Sequence, residues 1–248
     1  MRHFALTGTP LTHSYSKSLF DAQHFAEADY RLCPLPSLDG LRRWVEQASL
    51  AGFNVTAPYK QAIVPLLDEL SPAARAIGAV NCVAVHGGRL VGHNTDAPAF
   101  RQTLEALLNT KHLTPTTALI LGTGGAARAV AYALGQLGIP YSFVSRHPER
   151  HPHAIGYNQL SASHFPLPAL LVNATPVGTF PAVDQTPLDL THTFTHPLSH
   201  PSIVYDLVYN PSPTLLLQQA AQRGAHTKDG LEMLHLQARL SWQIWGLV

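Results

Sequence analysis

Short apolar runs alternate with amphipathic stretches along the first hundred residues of the chain. Runs rich in β-branched and aromatic residues are typical of strands, and an apolar residue at every third or fourth position is typical of helices. The pattern predicts a strand over "HFALTG" followed by a helix over "SKSLFDAQHFAEA", and a strand over "YRLCPL" followed by a helix over "LDGLRRWVEQA". A third strand is predicted over "AGFNVT", followed by helices over "IVPLLDEL" and "PAARAIGA". It also predicts a hairpin of "VNCVAV" and "RLVGHN" joined through "HGG", and a longer helix over "TDAPAFRQTLEALLN".

A polar, proline-containing break, "TKHLTPTT", separates this part from a second alternating series. Strands are predicted over "ALILG", "YSFVS", "ALLVNA" and "IVYDLV", and helices over "GAARAVAYALGQLG" and "PTLLLQQAAQRG". The final segment, "DGLEMLHLQARLSWQIW", is predicted as a helix that is apolar over most of its surface. Strands that alternate with helices in this way predict an α/β protein of two domains, with a boundary near residue 100.

Composition narrows the class of protein. Hydrophobic residues make up 46% of the 248 residues and charged residues 12%, which is typical of a globular protein. The net charge of +1 argues against nucleic acid or an anionic membrane as a partner, and there is no run of eighteen apolar residues that could span a bilayer. Cys33 and Cys82 lie in apolar runs, and the first residues do not resemble a signal peptide, so we expect a reducing cytoplasm. The histidines of "SRHPERHPH" and those from His192 to His200 lie in proline-broken stretches without a carboxylate beside them on a helix, so no metal site is predicted.

A glycine-rich turn follows the first strand of the second series. In "ALILGTGGAARAV", Gly122 and Gly124 occupy the first two positions of the G-x-G-x-x-G/A pattern, and Ala127 occupies the third. The strand before and the helix after this turn are the context in which backbone N–H groups hold a pyrophosphate at the helix N-terminus. The alternative is a glycine turn without a ligand.

The end of the next strand indicates which dinucleotide this turn binds. A NAD-binding sheet would carry an Asp or Glu there to bind the ribose 2′-hydroxyl. This chain has Ser145 and Arg146, with Arg150 four residues further on. Because arginines attract a 2′-phosphate that an acid would repel, the predicted cofactor is NADP. The alternative is a pair of solvated loop arginines.

Three polar motifs predict a second site. Lys60 in "NVTAPYK", Asn81 in "GAVNC" and Asp96 in "GHNTD" each stand where a predicted strand closes, and such ends line the ligand crevice of open α/β sheets. A lysine and an acid together can move a proton. Taken singly, Lys60 is better explained as a solvated lysine and Asp96 as a helix cap, and it is their occurrence together at predicted strand ends that favours a site.

Further polar residues leave two interpretations open. Ser14 and Ser16 follow the first strand, where they either cap the next helix or bind a carboxylate. Gln237 shares an apolar face of the last helix with Met233, Leu240 and Ile244. A buried amide needs partners, which are either the hydroxyls of a ligand or backbone carbonyls.

Taken together, the motifs resemble shikimate dehydrogenases over nearly the whole chain. The matching segments are "THSYS", "NVTAPYK", "GAVN", "GHNTD", "GTGGAAR", "SRHPER", "NATPVG", "YDLVYNPSPT" and "DGLEML" with the "QA" that follows, and their order and spacing agree with that family. The resemblance implies NADPH-dependent reduction of 3-dehydroshikimate to shikimate, in the biosynthesis of aromatic amino acids. It also implies a substrate domain of residues 1–100, completed by a C-terminal helix within 226–248, and a Rossmann-type NADP-binding domain of residues 101–225.

The resemblance further implies a role for each matching residue. The proton donor would be Lys60, with Asp96 as its partner, and Ser14 and Ser16 would hold the substrate carboxylate. Ring hydroxyls would contact Thr56, Asn81, Asp96, Tyr209 and Gln237. The pyrophosphate would lie on Gly122, Thr123, Gly124, Gly125 and Ala126, and the 2′-phosphate on Ser145, Arg146 and Arg150. The nicotinamide side would be formed by Thr175, Leu207 and Gly230. We expect a monomer or a homodimer with small-molecule ligands.

Four residues depart from the usual family pattern, which leaves the strictness for shikimate over quinate open. They are Lys17, Cys82, His93 and Ser145, which replace residues that are often proline, threonine, an acid and asparagine. Three alternative functions remain at this point. They are a NAD-using quinate/shikimate dehydrogenase, an enzyme that forms a Schiff base on Lys60, and a binding protein without catalysis.

Overall fold

A computed structural model describes residues 1–11, 14–152, 154–160, 169–193 and 202–248. The chain divides into two compact units. The first unit comprises Met1–Ala99 together with Leu234–Val248, and the second comprises Phe100–Met233. Each unit is built on its own six-stranded sheet with helices, so the predicted α/β class with two domains is confirmed.

The first unit contains a mixed sheet. Its strands are β1 (Arg2–Thr7), β2 (Ala28–Leu32), β3 (Leu50–Val55), β4 (Glu69–Leu70), β5 (Cys82–His86) and β6 (Arg89–His93), in the order β2-β1-β3-β5-β6-β4. Its helices are α1 (Tyr15–Asp21), α2 (Leu41–Gln47), α3 (Tyr59–Ala62), α4 (Pro72–Ile77) and the start of α5 (Asp96–Lys111). The predicted hairpin is confirmed, because β5 runs antiparallel to both β3 and β6.

Because β5 is antiparallel to its neighbours, the polar motifs lie together at one end of three adjacent strands. Asn54 of β3 pairs with Cys82 of β5, and Cys82 pairs with His93 of β6, so the end of β3, the start of β5 and the end of β6 are neighbours. The expectation that Asn81 closes a strand was wrong, since it precedes β5. The reversed direction of β5 nevertheless puts Asn81 at the edge that carries Lys60 and Asp96.

The second unit has a fully parallel sheet. Its strands are β7 (Ala118–Leu121), β8 (Tyr141–Ser145), β9 (Ala154–Gly156), β10 (Leu170–Asn173), β11 (Ile203–Asp206) and β12 (His226–Lys228). Its helices are the rest of α5, α6 (Gly125–Gln136), α7 (Leu190–Thr193), α8 (Leu215–Gln222) and the start of α9 (Leu231–Ile244). The strand order is β12-β11-β10-β7-β8-β9. Read from β9, with β7 as the first strand, it is the doubly wound order 3-2-1-4-5-6 of dinucleotide-binding sheets, which confirms the Rossmann-type fold.

Two local predictions differ from the structure. The segment "IVPLLDEL" is not one helix: a short 3₁₀ turn covers Val64–Leu66, and β4 follows at Glu69–Leu70. Pro65 lacks a donor N–H, so the helix begun by α3 does not continue past it. Residues 226–233 group with the second unit, although the sequence assigned them to the first, because β12 pairs with β11.

Helix α9 ends in the core of the first unit. Trp242 and Trp245 are buried against the aromatic rings of Phe4 and Phe20 from the start of the chain. The Trp245 indole N–H donates to the Val83 carbonyl oxygen at 3.0 Å. Within the described residues, no helix is both long and apolar enough to cross a bilayer.

Candidate active site

Lys60 and Asp96 form an ion pair in the first unit. Lys60 lies in the short helix α3, whose first residue, Tyr59, is buried and donates its hydroxyl to the Leu35 carbonyl oxygen at 2.7 Å. The Lys60 ammonium donates to Asp96 Oδ2 at 2.7 Å, and the two side chains are only 18% and 7% exposed. Lys60 is therefore not the solvated lysine of the first alternative.

The second oxygen of Asp96 is also occupied. Asn81 Nδ2 donates to Asp96 Oδ1 at 2.9 Å, and Asn81 Oδ1 accepts the backbone N–H of Thr95 at 2.7 Å. Asn94 Oδ1, rather than Asp96, accepts a hydrogen bond from the Ala97 N–H in the first turn of α5. The Asp96 carboxylate is thereby fixed by two donors, one charged and one neutral, and is not the cap of α5.

Gln237 lies beside this cluster, as the apolar face of α9 predicts. Its Oε1 is 3.5 Å from both Asn81 Nδ2 and Thr95 Oγ1, and its Nε2 donates to the Leu234 carbonyl oxygen at 3.1 Å. Each of the two interpretations of Gln237 is thus supported by one end of its amide. The Nε2 group donates to a backbone carbonyl oxygen, and Oε1 lies beside the polar side chains of Asn81 and Thr95.

Further polar residues, which the sequence motifs did not indicate, adjoin Gln237. The hydroxyl of Ser241 donates to the Gln237 carbonyl oxygen at 3.0 Å and accepts from Asn54 Nδ2 at 3.0 Å, while Asn54 Oδ1 accepts from the Tyr30 hydroxyl at 2.8 Å. A signal was available, because Asn54 interrupts an apolar strand and Ser241 follows Gln237 by one helical turn.

The remaining predicted substrate residues lie in other segments of the two units. Ser14 caps helix α1 by accepting the Ser16 N–H at 3.3 Å, and both serines are partly exposed. Thr56 follows β3 and is also partly exposed. Tyr209 follows β11 in the second unit. The capping interpretation of Ser14 is therefore confirmed, whereas binding of a carboxylate stays a prediction. The residues 12 and 13 of "THSYS" lie outside the described residues.

The glycine turn of the second unit has the shape that a pyrophosphate requires. Gly122 adopts a φ of +102°, and a Cβ placed there would meet Thr175 Cγ2 at 3.0 Å. Gly124 precedes α6 and has no neighbouring atom within 4 Å of a built Cβ, so the space before the helix is open. Gly125 and Ala126 form the first turn of α6, where backbone N–H groups are free of intrahelical partners. Thr123 Oγ1 lies 3.1 Å from His151 Nε2.

Exposed arginines follow the end of β8. Ser145 is buried, and its hydroxyl accepts the His147 N–H at 3.0 Å. Arg146 and Arg150 are exposed, and Arg150 Nε lies 3.5 Å from Glu149 Oε1. No acid stands at the end of β8 itself, so two guanidinium groups can reach an anion there. The Ser145 hydroxyl oxygen also stabilises the local turn, by accepting this N–H.

The residues predicted for the nicotinamide side meet in the second unit. Asn173, the last residue of β10, accepts both the N–H and the hydroxyl of Thr175, at 3.0 and 2.7 Å. A Cβ on Gly230 would lie 2.1 Å from the Leu207 carbonyl oxygen, so these two backbones touch. The loops after β10 and β11 are therefore held in one arrangement by backbone contact and by Asn173.

Asp206 is a buried carboxylate that the sequence analysis also missed. It ends β11, is 0% exposed, and accepts from Asn173 Nδ2 at 2.8 Å, from Thr214 Oγ1 at 2.7 Å and from the Val208 N–H at 3.0 Å. Removal from water is the main cause that raises the pKa of Asp206 to about 6, and the nearby charge of Asp229 acts in the same direction. An acid inside the apolar run "IVYDLV" was the available signal.

These features define a class of protein. A parallel sheet with a glycine turn open for a dinucleotide in one unit, and a buried lysine–aspartate pair in the other, are typical of dinucleotide-dependent oxidoreductases. Within the described residues, no group of three or more His, Cys, Asp or Glu side chains is arranged to hold a metal ion.

Comparisons with known proteins give the particular family. A model described as the shikimate dehydrogenase substrate binding domain matches residues 6–83. Shikimate dehydrogenase (NADP(+)) of Nostoc sp. is 38% identical over 259 residues, covering 96% of this chain and 88% of that protein. The structure of shikimate 5-dehydrogenase from Thermus thermophilus with NADP(H) and shikimate gives a TM-score of 0.81 at 35% identity, covering 99% and 93% of the two chains. A quinate dehydrogenase from Corynebacterium glutamicum with NAD gives 0.81 at 28% identity, covering 98% and 93%. The chain belongs to the shikimate dehydrogenase family, as its motifs predicted.

Proposed function

We propose that this protein catalyses the reaction of 3-dehydroshikimate, NADPH and a proton to give shikimate and NADP⁺, as a step in aromatic amino acid (chorismate) biosynthesis. Membership of the shikimate dehydrogenase family supports the reaction. The observation that carries the proposal is the largely buried Lys60–Asp96 ion pair, whose carboxylate is held in turn by Asn81. This pair supplies a positioned proton donor beside a set of hydrogen-bonding side chains.

Lys60 is the proposed proton donor. Reduction of a ketone leaves negative charge on its oxygen, and an ammonium within hydrogen-bond reach both stabilises that charge and delivers the proton. In the oxidation of shikimate, the neutral amine of Lys60 takes the hydroxyl proton back. NADPH, when bound, supplies the hydride.

Asp96 and Asn81 are proposed to orient both Lys60 and the substrate ring. Each already contacts the other, at 2.9 Å, so a hydroxyl that binds between them meets a fixed carboxylate and a fixed amide. Thr56, Tyr209 and Gln237 are proposed to bind the other ring hydroxyls. Ser14 and Ser16 are proposed to hold the substrate carboxylate with their hydroxyls, in addition to the cap that Ser14 makes on α1.

The second unit is proposed as the NADP-binding domain and the first as the substrate-binding domain. The open turn from Gly122 to Ala126, which includes Thr123, fits a pyrophosphate, and Arg146 and Arg150 fit a 2′-phosphate at the exposed end of β8. Ser145 is proposed to help form the 2′-phosphate site. The residues proposed to lie beside the nicotinamide ring are Thr175, Leu207 and Gly230.

We also propose a cytoplasmic location and a monomer or homodimer. Cys33 and Cys82 are both free thiols, which is usual for proteins of reducing compartments. Sedimentation of the purified protein over a range of concentrations would distinguish the two assemblies.

The deciding experiment is a spectrophotometric assay of the purified protein that follows the absorbance of the reduced cofactor, with shikimate and quinate each paired with NADP⁺ and NAD⁺. We expect turnover with shikimate and NADP⁺ to be the fastest of the four combinations. Faster turnover of quinate with NAD⁺ would establish the quinate/shikimate alternative instead. A borohydride-trapped substrate adduct on Lys60 would indicate Schiff-base chemistry, and binding of both ligands without turnover would indicate a binding protein.

A further inference from the structure

Asp206 has no role in the proposed reaction, although its position and burial are unusual. It is the last residue of β11, at the edge of a parallel sheet where the ends of strands form ligand sites. The same Asn173 amide that donates to Asp206 at 2.8 Å accepts the hydroxyl of Thr175 at 2.7 Å. Leu207 directly follows it and touches Gly230. Asp206 therefore lies among the residues proposed for the nicotinamide side.

The charge of Asp206 is not neutralised by the groups that bind it. Its three donors are an amide, a hydroxyl and a backbone N–H, which are all neutral. Within the described part of the chain, the ionisable group that acts on it is Asp229, itself an acid, while Glu232, which pairs with Lys228, acts with Asp229 on the neighbouring Tyr205. A fully buried carboxylate without a cation is costly, so a positive ligand beside it would be favoured.

The oxidised and reduced forms of the cofactor differ by one charge on the nicotinamide ring. The nicotinamide ring of NADP⁺ is positive and that of NADPH is neutral, whereas the phosphates are the same in both. We propose that the ionised Asp206 carboxylate is an electrostatic partner of the oxidised nicotinamide ring, so that the protein binds NADP⁺ more tightly, relative to NADPH, than it would with a neutral residue there. This inference rests on the proposed function, because it takes NADP as the cofactor and Thr175, Leu207 and Gly230 as the nicotinamide side.

Binding measurements without substrate test this inference. The dissociation constants of NADP⁺ and NADPH are measured by calorimetry at pH 8 for the wild type, for Asp206→Asn and for Thr214→Val. The Asp206→Asn exchange removes the charge of the carboxylate. We expect it to raise the ratio Kd(NADP⁺)/Kd(NADPH) about tenfold, which corresponds to a difference of about 1.4 kcal/mol in binding free energy. Thr214→Val is the matched control, since it removes one donor to Asp206 at 2.7 Å but keeps the charge. Its ratio should stay within about twofold of that of the wild type.

The wild type provides a second, independent test through pH. Because burial raises the pKa of Asp206 to about 6, its charge is lost between pH 8 and pH 5, and the ratio Kd(NADP⁺)/Kd(NADPH) should rise over this range. In Asp206→Asn the ratio should be independent of pH. The 2′-phosphate is present in both cofactors, so its protonation contributes equally to both dissociation constants and cancels in the ratio.

The outcomes separate this inference from the proposed function. An unchanged ratio in a folded Asp206→Asn protein that binds both cofactors would overturn the role of Asp206 and leave the proposed function standing. If that variant does not fold, a wild-type ratio that is constant from pH 8 to pH 5 would overturn it equally. A wild type that binds neither NADP⁺ nor NADPH would instead refute the proposed function.

Discussion

Lys60 and Asp96 come from segments that are 36 residues apart, and their charged groups meet at 2.7 Å. The reversed strand β5 makes this contact possible, because it brings the ends of β3 and β6 to the same sheet edge. The pair is mostly removed from water, with Lys60 18% and Asp96 7% exposed. Hydrogen bonds within the first unit, including that of Asn81 to Asp96 at 2.9 Å, hold this pair in place.

Replacement of Lys60 by alanine should remove the proton donor. We expect kcat to fall by roughly 10²- to 10⁴-fold, or about 3–5 kcal/mol, with a much smaller change in KM, because the lost contact acts mainly in the transition state. Steady-state kinetics with shikimate and NADP⁺ measure this. Lys111→Ala, which removes a lysine at the end of α5, is the control for loss of a charge. A kcat of Lys60→Ala within about threefold of the wild type would contradict the assignment.

The arginines after β8 should determine the choice of cofactor. Arg146→Ala with Arg150→Ala should lower the preference for NADP over NAD by about 10²- to 10³-fold in kcat/KM, while activity with NAD stays almost unchanged. Glu149 lies 3.5 Å from Arg150 and competes for it, so Glu149→Gln should change the preference in the opposite direction. Added salt should weaken the preference of the wild type, since these side chains are exposed. Equal use of both cofactors by the wild type would refute this prediction.

Gly230→Ala should destabilise the protein. The added Cβ would lie 2.1 Å from the Leu207 carbonyl oxygen, and backbone cannot move aside as a flexible side chain can. We expect a loss of roughly 1–3 kcal/mol in the free energy of unfolding. Gly135→Ala is the matched control, because Gly135 is exposed within α6 with nothing within 4 Å of a built Cβ. That change should stabilise the protein by about 1 kcal/mol.

Urea unfolding followed by far-ultraviolet circular dichroism measures both glycine variants. Tryptophan fluorescence is less suitable for this purpose, since Trp44, Trp242 and Trp245 are the three tryptophans of the chain and all belong to the first unit. A Gly230→Ala protein as stable as the wild type would show that the Leu207 backbone can shift.

Asp206 should make stability depend on pH in an unusual direction. Its folded pKa of about 6 exceeds the unfolded value of 3.8, so the native state holds this proton more tightly, and the resulting stability is lost as the pH rises from 3.8 through 6. Asp206→Asn removes this contribution. The unfolding free energy of the variant, minus that of the wild type, should therefore increase by roughly 2–3 kcal/mol between pH 4 and pH 7.

Using the difference between the two proteins isolates Asp206. The pKa of Asp68 is lowered by its hydrogen bond with Arg42, and that of Asp189 by its hydrogen bonds with Thr191 and His192, which gives slopes of the opposite sign that cancel in the subtraction. Urea titrations at several pH values measure the difference. A difference that is constant with pH would contradict the raised pKa.

Much of the fold could be predicted because its elements are long or strongly patterned. The strand, glycine turn and helix from Ala118 to Gln136 are an example, since a short apolar run, a glycine turn and an alanine-rich helical stretch follow each other. The three-residue strands β9 and β12 could not be predicted, because "AIG" and "HTK" are too short to show any alternation. These segments are strands because each pairs in parallel with a neighbouring strand, β9 with β8 and β12 with β11.

The site was predicted through its motifs rather than through its contacts. Lys60, Asn81 and Asp96 each stood out as polar residues at the end of a predicted strand, but nothing local shows that they meet, since that depends on the direction of β5. The contact of Asn54 with Ser241, at 3.0 Å, joins residues that are 187 positions apart. Such pairs follow from tertiary packing, which a reading of local patterns does not reach.

The divided first unit constrains the order in which the protein can mature on the ribosome. Residues 100–233 form a unit that is continuous in the chain, whereas the core around Phe4 and Phe20 needs Trp242 and Trp245. Synthesis proceeds from the N-terminus at about 5–20 residues per second, so the half of the protein that is made first is the half that must wait longest for its last packing partners. Until α9 emerges, the nascent chain exposes the aromatic surface that this helix later covers, and this surface is where a chaperone would find its target.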